Sequence, residues 1–101
     1  MFYRWQYGHY TLDQMQSFVS ADGGESVDAE HEGICACASA SELLRNTVWA
    51  DGKYAAGAEV LALDGDIVEW IYDGVRIYPT RILARYSPAE FRKLHEAGEL
   101  D

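Results

Sequence analysis

The spacing of apolar residues changes several times along the chain, and each change indicates where a strand or helix is expected to begin. Residues 2–10 alternate aromatic and polar side chains, with Arg4 and Gln6 on the polar face, which predicts a β-strand. Thr11 and Gln14 then have the spacing of a capping box, and apolar residues follow at helical spacing. The first 24 residues therefore predict a strand followed by a helix that ends at a pair of glycines.

Two further helices have clear start signals. The short apolar run 33–38 predicts a buried strand, and Ser39 with Glu42 predicts the helix that follows it. Near the C-terminus, Ser87 and Pro88 combine an N-cap with proline at the first helical position, and this helix is expected to end at Gly98.

Residues 59–86 predict the main sheet. Asp64-Gly65 and Asp73-Gly74 are two-residue turn signals flanked by strand-like runs, so residues 59–78 are expected to form a three-strand antiparallel meander. Pairing is expected to break at Pro79-Thr80 and to resume as another strand to Tyr86. The order β-α-β-α-β-β-β-β-α predicts a single α+β domain, residues 1–101, with an antiparallel sheet and a C-terminal helix.

The expected meander separates two faces. Pairing of Tyr72 with Val75 across the second turn makes one face apolar and the other mixed. The expected core face comprises Leu61, Leu63, Val68, Trp70, Tyr72, Val75 and Ile77. The mixed face comprises Val60, Ala62, Ile67, Glu69, Ile71, Arg76 and Tyr78. A further possibility is a homodimeric regulatory module, in which two copies join through Ile67, Ile71 and Tyr78 of this face.

Charge is distributed unevenly. The chain carries a net charge of −9, and no lysine or arginine occurs between Arg4 and Arg45. The acids of this stretch concentrate in a loop expected at 22–32, namely Asp22, Glu25, Asp28, Glu30 and Glu32. Carboxylates repel a phosphate backbone, so the expected partner is a basic protein and not a nucleic acid.

Composition favours a cytoplasmic protein. No apolar run approaches the roughly 18 residues that a membrane helix needs, and residues 1–5 lack the pattern of a signal peptide.

Cys35 and Cys37, two apart on one strand, are expected to be reduced thiols. His31 with these two cysteines is the alternative reading, a metal site, but an obvious fourth ligand is missing, and we expect no metal.

Two side chains attract attention as candidate chemistry. Glu69, between two isoleucines on its face, has the surroundings of a carboxylate acid or base, although Arg76 as a diagonal neighbour would make it an ordinary ion pair. Among the three histidines, His9 alone follows an aromatic strand, where it could line a pocket.

Three segments resemble small ADP-ribosyltransferase-like domains. Tyr3-Arg4 resembles the arginine-bearing first strand of that family, residues 33–39 followed by a helix resemble its small-residue strand ending in serine, and the strands from Glu59 onward resemble its third block. The resemblance implies NAD as ligand, with Arg4 and His9 in its site and Ser39 shaping the nicotinamide pocket. It also implies a catalytic carboxylate, Glu69 or Glu59, although the family's paired-glutamate motif is absent.

The sequence therefore supports two main functional hypotheses. The first is a small acidic binding protein, an inhibitor or decoy that needs no cofactor and engages a basic partner through residues 22–32. In this character the chain resembles acidic phage or mobile-element proteins that block host defence complexes. The second hypothesis is the NAD-binding transferase-like domain.

Overall fold

The structure is a computed structural model that describes residues 1–17, 33–45, 58–72 and 74–100. In chain order the elements are β1 (Phe2–Tyr7), α1 (Leu12–Ser17), β2 (Ile34–Ala36), α2 (Ala40–Arg45), β3 (Ala58–Ile71), β4 (Gly74–Tyr86) and α3 (Pro88–Glu96). The four strands form one antiparallel sheet in the order β1-β3-β4-β2. The predicted α+β class, the antiparallel sheet and the C-terminal helix are confirmed.

The helix caps follow the sequence signals. Thr11 Oγ1 accepts from the Gln14 backbone N–H, and Gln14 Oε1 accepts in return from the Thr11 N–H, which is the reciprocal capping box. Ser39 Oγ accepts from the Glu42 N–H at the start of α2. Ser87 Oγ accepts from the Glu90 N–H at the start of α3. Because each cap satisfies an otherwise orphan N–H group, these three starts were predictable from local sequence.

The sheet is covered on both faces. Alternate residues of β3 enter separate apolar clusters, since successive side chains of a strand point to opposite faces. One cluster packs Met15 of α1 on the sheet and comprises Met15, Ile34, Ala36, Leu61, Leu63, Val75 and Ile77. The other packs α2 and α3 on the sheet and comprises Tyr3, Cys37, Ala40, Leu43, Val60, Ala62 and Phe91. Val60 and Ala62, predicted on a mixed face, are therefore buried core residues.

The first predicted turn is wrong. Asp64-Gly65 lies within the continuous strand β3, opposite Arg81 and Pro79, with an irregularity of register between the two positions. A Cβ on Gly65 would lie 2.7 Å from the Tyr78 carbonyl oxygen, so glycine is required for the close approach of β4 and not for a turn. β4 likewise continues through Pro79-Thr80, where a break was predicted. Two long strands thus replace the last four predicted strands.

The sheet also curves back on itself at one point. The Tyr3 N–H donates to the Cys37 carbonyl at 2.8 Å, and the Cys37 N–H donates to the Tyr3 carbonyl at 2.8 Å. This bridge joins β1 to the residue that follows β2, although the two strands occupy opposite edges of the sheet order. The curvature encloses side chains of β1 that a flat sheet would leave in solvent.

No helix in the described ranges is long and apolar enough to cross a bilayer.

Candidate functional site

The β3–β4 hairpin extends beyond β1, whereas β2 flanks its β4 strand close to the tip. β1 pairs with β3 only as far as Leu63, and β2 pairs with β4 only over Val75–Ile77. We call residues 65–72 and 74–79 the hairpin end. At its tip Ile71 lies opposite Gly74, so the second predicted hairpin exists with its pairing shifted from the predicted Tyr72–Val75 register.

The hairpin end exposes large apolar side chains on both of its faces. Among the described residues, six large apolar side chains are exposed, and all except Met1 lie on the hairpin end. We call these five the hairpin patch: Ile67, Val68, Trp70, Tyr72 and Tyr78. Trp70 is 64% exposed and Tyr72 is fully exposed. Clustered exposed aromatic side chains of this kind mark interaction surfaces in soluble domains, whereas single exposed apolar residues do not.

The exposure of Val68, Trp70 and Tyr72 corrects their predicted place in the core. Ile67 lies opposite Ile77 and Glu69 lies opposite Arg76, which leaves Val68 as an extra residue on β3. Such a bulge bends the strand and increases its twist. The prediction missed this surface because it assumed strict alternation. The signal in the sequence was that apolar residues occupy both odd and even positions over 67–71. Because alternate residues of a strand point to opposite faces, these side chains cannot all point to one core face.

The predicted mixed face is also rearranged. Tyr78 lies opposite Asp66, whereas Ile67 lies opposite Ile77. Directly opposite residues share a face and neighbouring residues do not, so Ile67 and Tyr78 point to opposite sides of the hairpin. The face proposed from sequence for a homodimer is therefore not a continuous surface.

Charge divides cleanly between the two long strands. β3 contains four acids and no lysine or arginine, whereas β4 contains three arginines and no acid. Each arginine of β4 is within ion-pairing distance of an acid of β3: Arg76 with Glu69 at 3.7 Å, Arg81 with Asp64 at 3.9 Å, and Arg85 with Glu59. The fourth acid, Asp66, is exposed and has no ion pair with another described residue.

A buried polar cluster is built on β1. Arg4 and Gln6 are 4% and 2% exposed, and Arg4 Nε donates to Gln6 Oε1 at 2.8 Å. The Arg4 guanidinium also donates to the Cys35 carbonyl at 2.7 Å, which links β1 to β2. Burial of a cation requires such partners. Arg4, which the family resemblance places in an NAD site, therefore has internal acceptors that tie the sheet together.

Glu59 and Arg85 extend this cluster toward solvent. The Arg85 guanidinium donates to Glu59 Oε1 and to the Tyr10 carbonyl. His9 Nδ1 lies 3.4 Å from Glu59 Oε1, and the His9 side chain is 73% exposed. His9 and Glu59, two of the residues assigned to a transferase site, are thus neighbours. Their arrangement fixes the turn between β1 and α1 onto the sheet.

The other predicted site residues lie elsewhere. Ser39 caps α2, and Glu69 forms its ion pair with Arg76 on the hairpin end. Arg4 donates to Gln6 and to the Cys35 carbonyl, so the three residues have different partners in these contacts. The predicted partner-binding acids Asp22, Glu25, Asp28, Glu30 and Glu32 all lie outside the described residues.

One polar pair gave no sequence signal. Ser41 Oγ of α2 lies 2.9 Å from His95 Nε2 of α3. The two residues are 54 positions apart, and both occupy helix surfaces, so only the packing of α2 beside α3 brings them together. The hydrogen bond fastens two short helices over the same face of the sheet.

The cysteines are free thiols, as predicted, with Cys37 buried and Cys35 half-buried. Within the ranges that the structure describes, no group of three histidine, cysteine or acidic side chains has the geometry of a metal site. His31, the third ligand of the alternative metal reading, is outside those ranges.

Comparison with known proteins finds no matching family model, no matching curated protein and no matching solved structure.

Proposed function

We propose that this protein is a small acidic binding protein, an inhibitor or decoy, that engages a basic protein through the hairpin patch and the acidic segment 22–32. The observation that carries the proposal is the exposure of Trp70 and Tyr72 on the part of the hairpin that extends beyond β1. Trp and Tyr are enriched among the residues that dominate binding energy at protein interfaces. Each buries about 150–250 Å² when a partner covers it.

The hairpin end and the acidic segment are connected through described residues. Gln16, shortly before that segment, donates from Nε2 to the Pro79 carbonyl at 2.9 Å. Gly33, directly after it, accepts from the Arg76 guanidinium at 3.3 Å. Both anchors are residues of the hairpin end on β4. Described residues on both sides of the acidic segment are therefore bound to the hairpin end.

Charge favours a basic partner over a second copy. Each copy carries a net charge of −9, so association of two copies brings like charges together. A basic surface gains attraction from the same charge, which raises the association rate and excludes acidic competitors. Ile67 and Trp70, which share one face of the hairpin, then supply the desolvated centre of the interface, and the carboxylates supply its polar rim.

The proposal is tested by affinity capture from a lysate of the source organism at low salt, with identification by mass spectrometry. Three baits are compared: the wild-type protein, the double variant Trp70→Ser/Tyr72→Ser, and the control variant Lys93→Ala. Lys93 lies on the exposed surface of α3. We expect a basic protein that wild type and Lys93→Ala retain and the double variant loses. Equal retention of every captured protein by all three baits would contradict the proposal.

A further inference from the structure

We infer that the partner contributes an extended, basic segment that pairs as a strand with residues 65–71 of β3. We call these residues the distal edge. The inference rests on the proposed function, because it names how the partner binds at the hairpin end. It goes further by assigning a backbone-pairing mode and a side-chain pattern to the bound segment.

The distal edge is an open strand edge in the described part of the chain. β3 pairs with β4 along one side as far as Ile71, whereas on its other side pairing with β1 stops at Leu63. No described strand lies beside residues 65–71 on that side. An open edge presents a row of backbone donors and acceptors, and an extended peptide can join it as an additional strand.

The charge of β3 specifies what kind of strand suits it. Its neighbour β4 complements the acids of β3 with arginines at three places. Asp66 remains exposed on the hairpin end, and the side chain of Glu69 is 39% exposed despite its ion pair. A strand added on the open side meets the same acidic strand. Lysine or arginine in that strand is therefore favoured, because opposite charges on neighbouring strands attract each other, as they do between β3 and β4.

The bulge at Val68 defines the two faces that the added strand meets. Ile67 and Trp70 lie opposite Ile77 and Val75, so they share one face of the hairpin. Asp66 and Glu69 lie opposite Tyr78 and Arg76 and share the other face. The bound segment should therefore alternate apolar residues with lysine or arginine, the apolar ones beside Trp70 and the cations beside Asp66.

A second copy fits this edge poorly. Pairing two distal edges would bring the acids of one β3 beside those of the other, and like charges on adjacent strands are destabilising. The bulge also bends the edge, a feature that natural sheets use to limit edge-to-edge association. The edge thus selects a heterologous basic segment over its own copy.

The test uses a displayed library of random 12-residue peptides selected on the purified full chain. Enriched peptides should alternate apolar residues with lysine or arginine and lack proline. A synthetic copy of the best peptide is then N-methylated at one backbone nitrogen at a time. Because a paired strand directs alternate N–H groups to its neighbour, methylation should weaken binding about tenfold at every second position and leave the intervening positions nearly unchanged.

A charge-reversed pair of variants tests the protein side. Asp66→Lys should weaken binding of the best peptide about tenfold, since it places a cation beside the cations of the bound strand. Glu96→Lys makes the same charge change at an exposed position of α3 and should leave affinity within about twofold. Circular dichroism checks that both variants are folded.

Several outcomes would overturn the inference. The selection could enrich no peptides, or it could enrich acidic or proline-rich sequences. The affinities of the N-methylated peptides could also fail to alternate along the sequence. Equal effects of Asp66→Lys and Glu96→Lys, or a dimer in sedimentation that Asp66→Lys alters, would also overturn it. In each case a captured basic protein that depends on Trp70 and Tyr72 would leave the proposed function standing. Loss of that dependence would remove both.

Discussion

Glu69 of β3 lies directly opposite Arg76 of β4, and Arg76 Nε is 3.7 Å from Glu69 Oε1. Because Ile67 is already opposite Ile77, this pairing leaves no partner position for Val68. The resulting bulge accompanies the exposure of Val68 and Trp70 at the hairpin end. The same ion pair gives Glu69 a cross-strand structural contact, whereas the sequence raised a catalytic carboxylate as the alternative.

Trp70→Ser should separate stability from binding. Trp70 is 64% exposed, so its replacement should change the free energy of unfolding by no more than about 0.5 kcal/mol. Binding of the captured partner should weaken by about 2 kcal/mol or more, as for an interface hot spot. Urea unfolding and calorimetric titration of one preparation measure the two quantities. Large destabilisation without loss of affinity would indicate that Trp70 is a core residue, as the sequence predicted.

Arg4→Ala should destabilise the fold. The change removes a buried guanidinium and leaves Gln6 Oε1 and the Cys35 carbonyl without this donor, which should cost about 3 kcal/mol. Thermal unfolding of wild type and Arg4→Ala, each with and without millimolar NAD, is the measurement. A wild-type melting temperature raised by NAD, with the rise lost in Arg4→Ala, would support the transferase-like alternative.

Phe91→Ala should release α3 from the sheet. The Phe91 ring is fully buried and meets Tyr3 edge-on at 5.5 Å between centroids, so its loss should cost about 3–5 kcal/mol. Ser87→Ala, which removes only the helix cap, should cost about 1 kcal/mol. Chemical unfolding of both variants measures the difference. Equal costs would mean that the cap contributes as much to the stability of α3 as its docking on the sheet does, which contradicts the prediction.

Gly65→Ala should test the continuous strand β3. The added methyl would lie 2.7 Å from the Tyr78 carbonyl oxygen, and the shift needed to relieve this overlap should cost about 1–3 kcal/mol. Thr80→Ala, at an exposed position of β4, is the control and should change stability by less than about 0.5 kcal/mol. An unchanged stability for Gly65→Ala would argue for the open turn that the sequence predicted at this position.

Local signals predicted the helix starts well, whereas the predicted end of the first helix at its glycine pair lies outside the described residues. Thr11 with Gln14, and Ser87 with Pro88, are short-range caps whose bonds form within one turn, so no distant contact decides them. The fold class followed from the succession of such elements. Cys35 and Cys37 were likewise correctly predicted as unbridged thiols, because side chains two residues apart in extended chain are poorly placed to bridge each other.

Long-range pairing decided what the sequence could not. Asp64-Gly65 has turn chemistry, yet Arg81 opposite Asp64 and the close approach of Tyr78 to Gly65 keep β3 extended. Arg4 and Gln6 occupy polar positions of an alternating strand, yet the curved sheet encloses them. The extended conformation at Gly65 and the burial of Arg4 and Gln6 depend on bulges and on contacts with residues far away in sequence. The alternation of apolar and polar residues within one strand does not specify such contacts.

The salt dependence of partner binding tests the central claim most directly. Titration calorimetry of the captured basic partner against wild type and Trp70→Ser should be run from about 50 mM to about 500 mM salt, across which screening changes strongly. We predict that wild-type affinity falls about tenfold or more over this range and that Trp70→Ser binds more weakly at every salt concentration. An affinity that is unchanged by salt, or equal in the two proteins, would contradict binding of a basic partner by the hairpin patch.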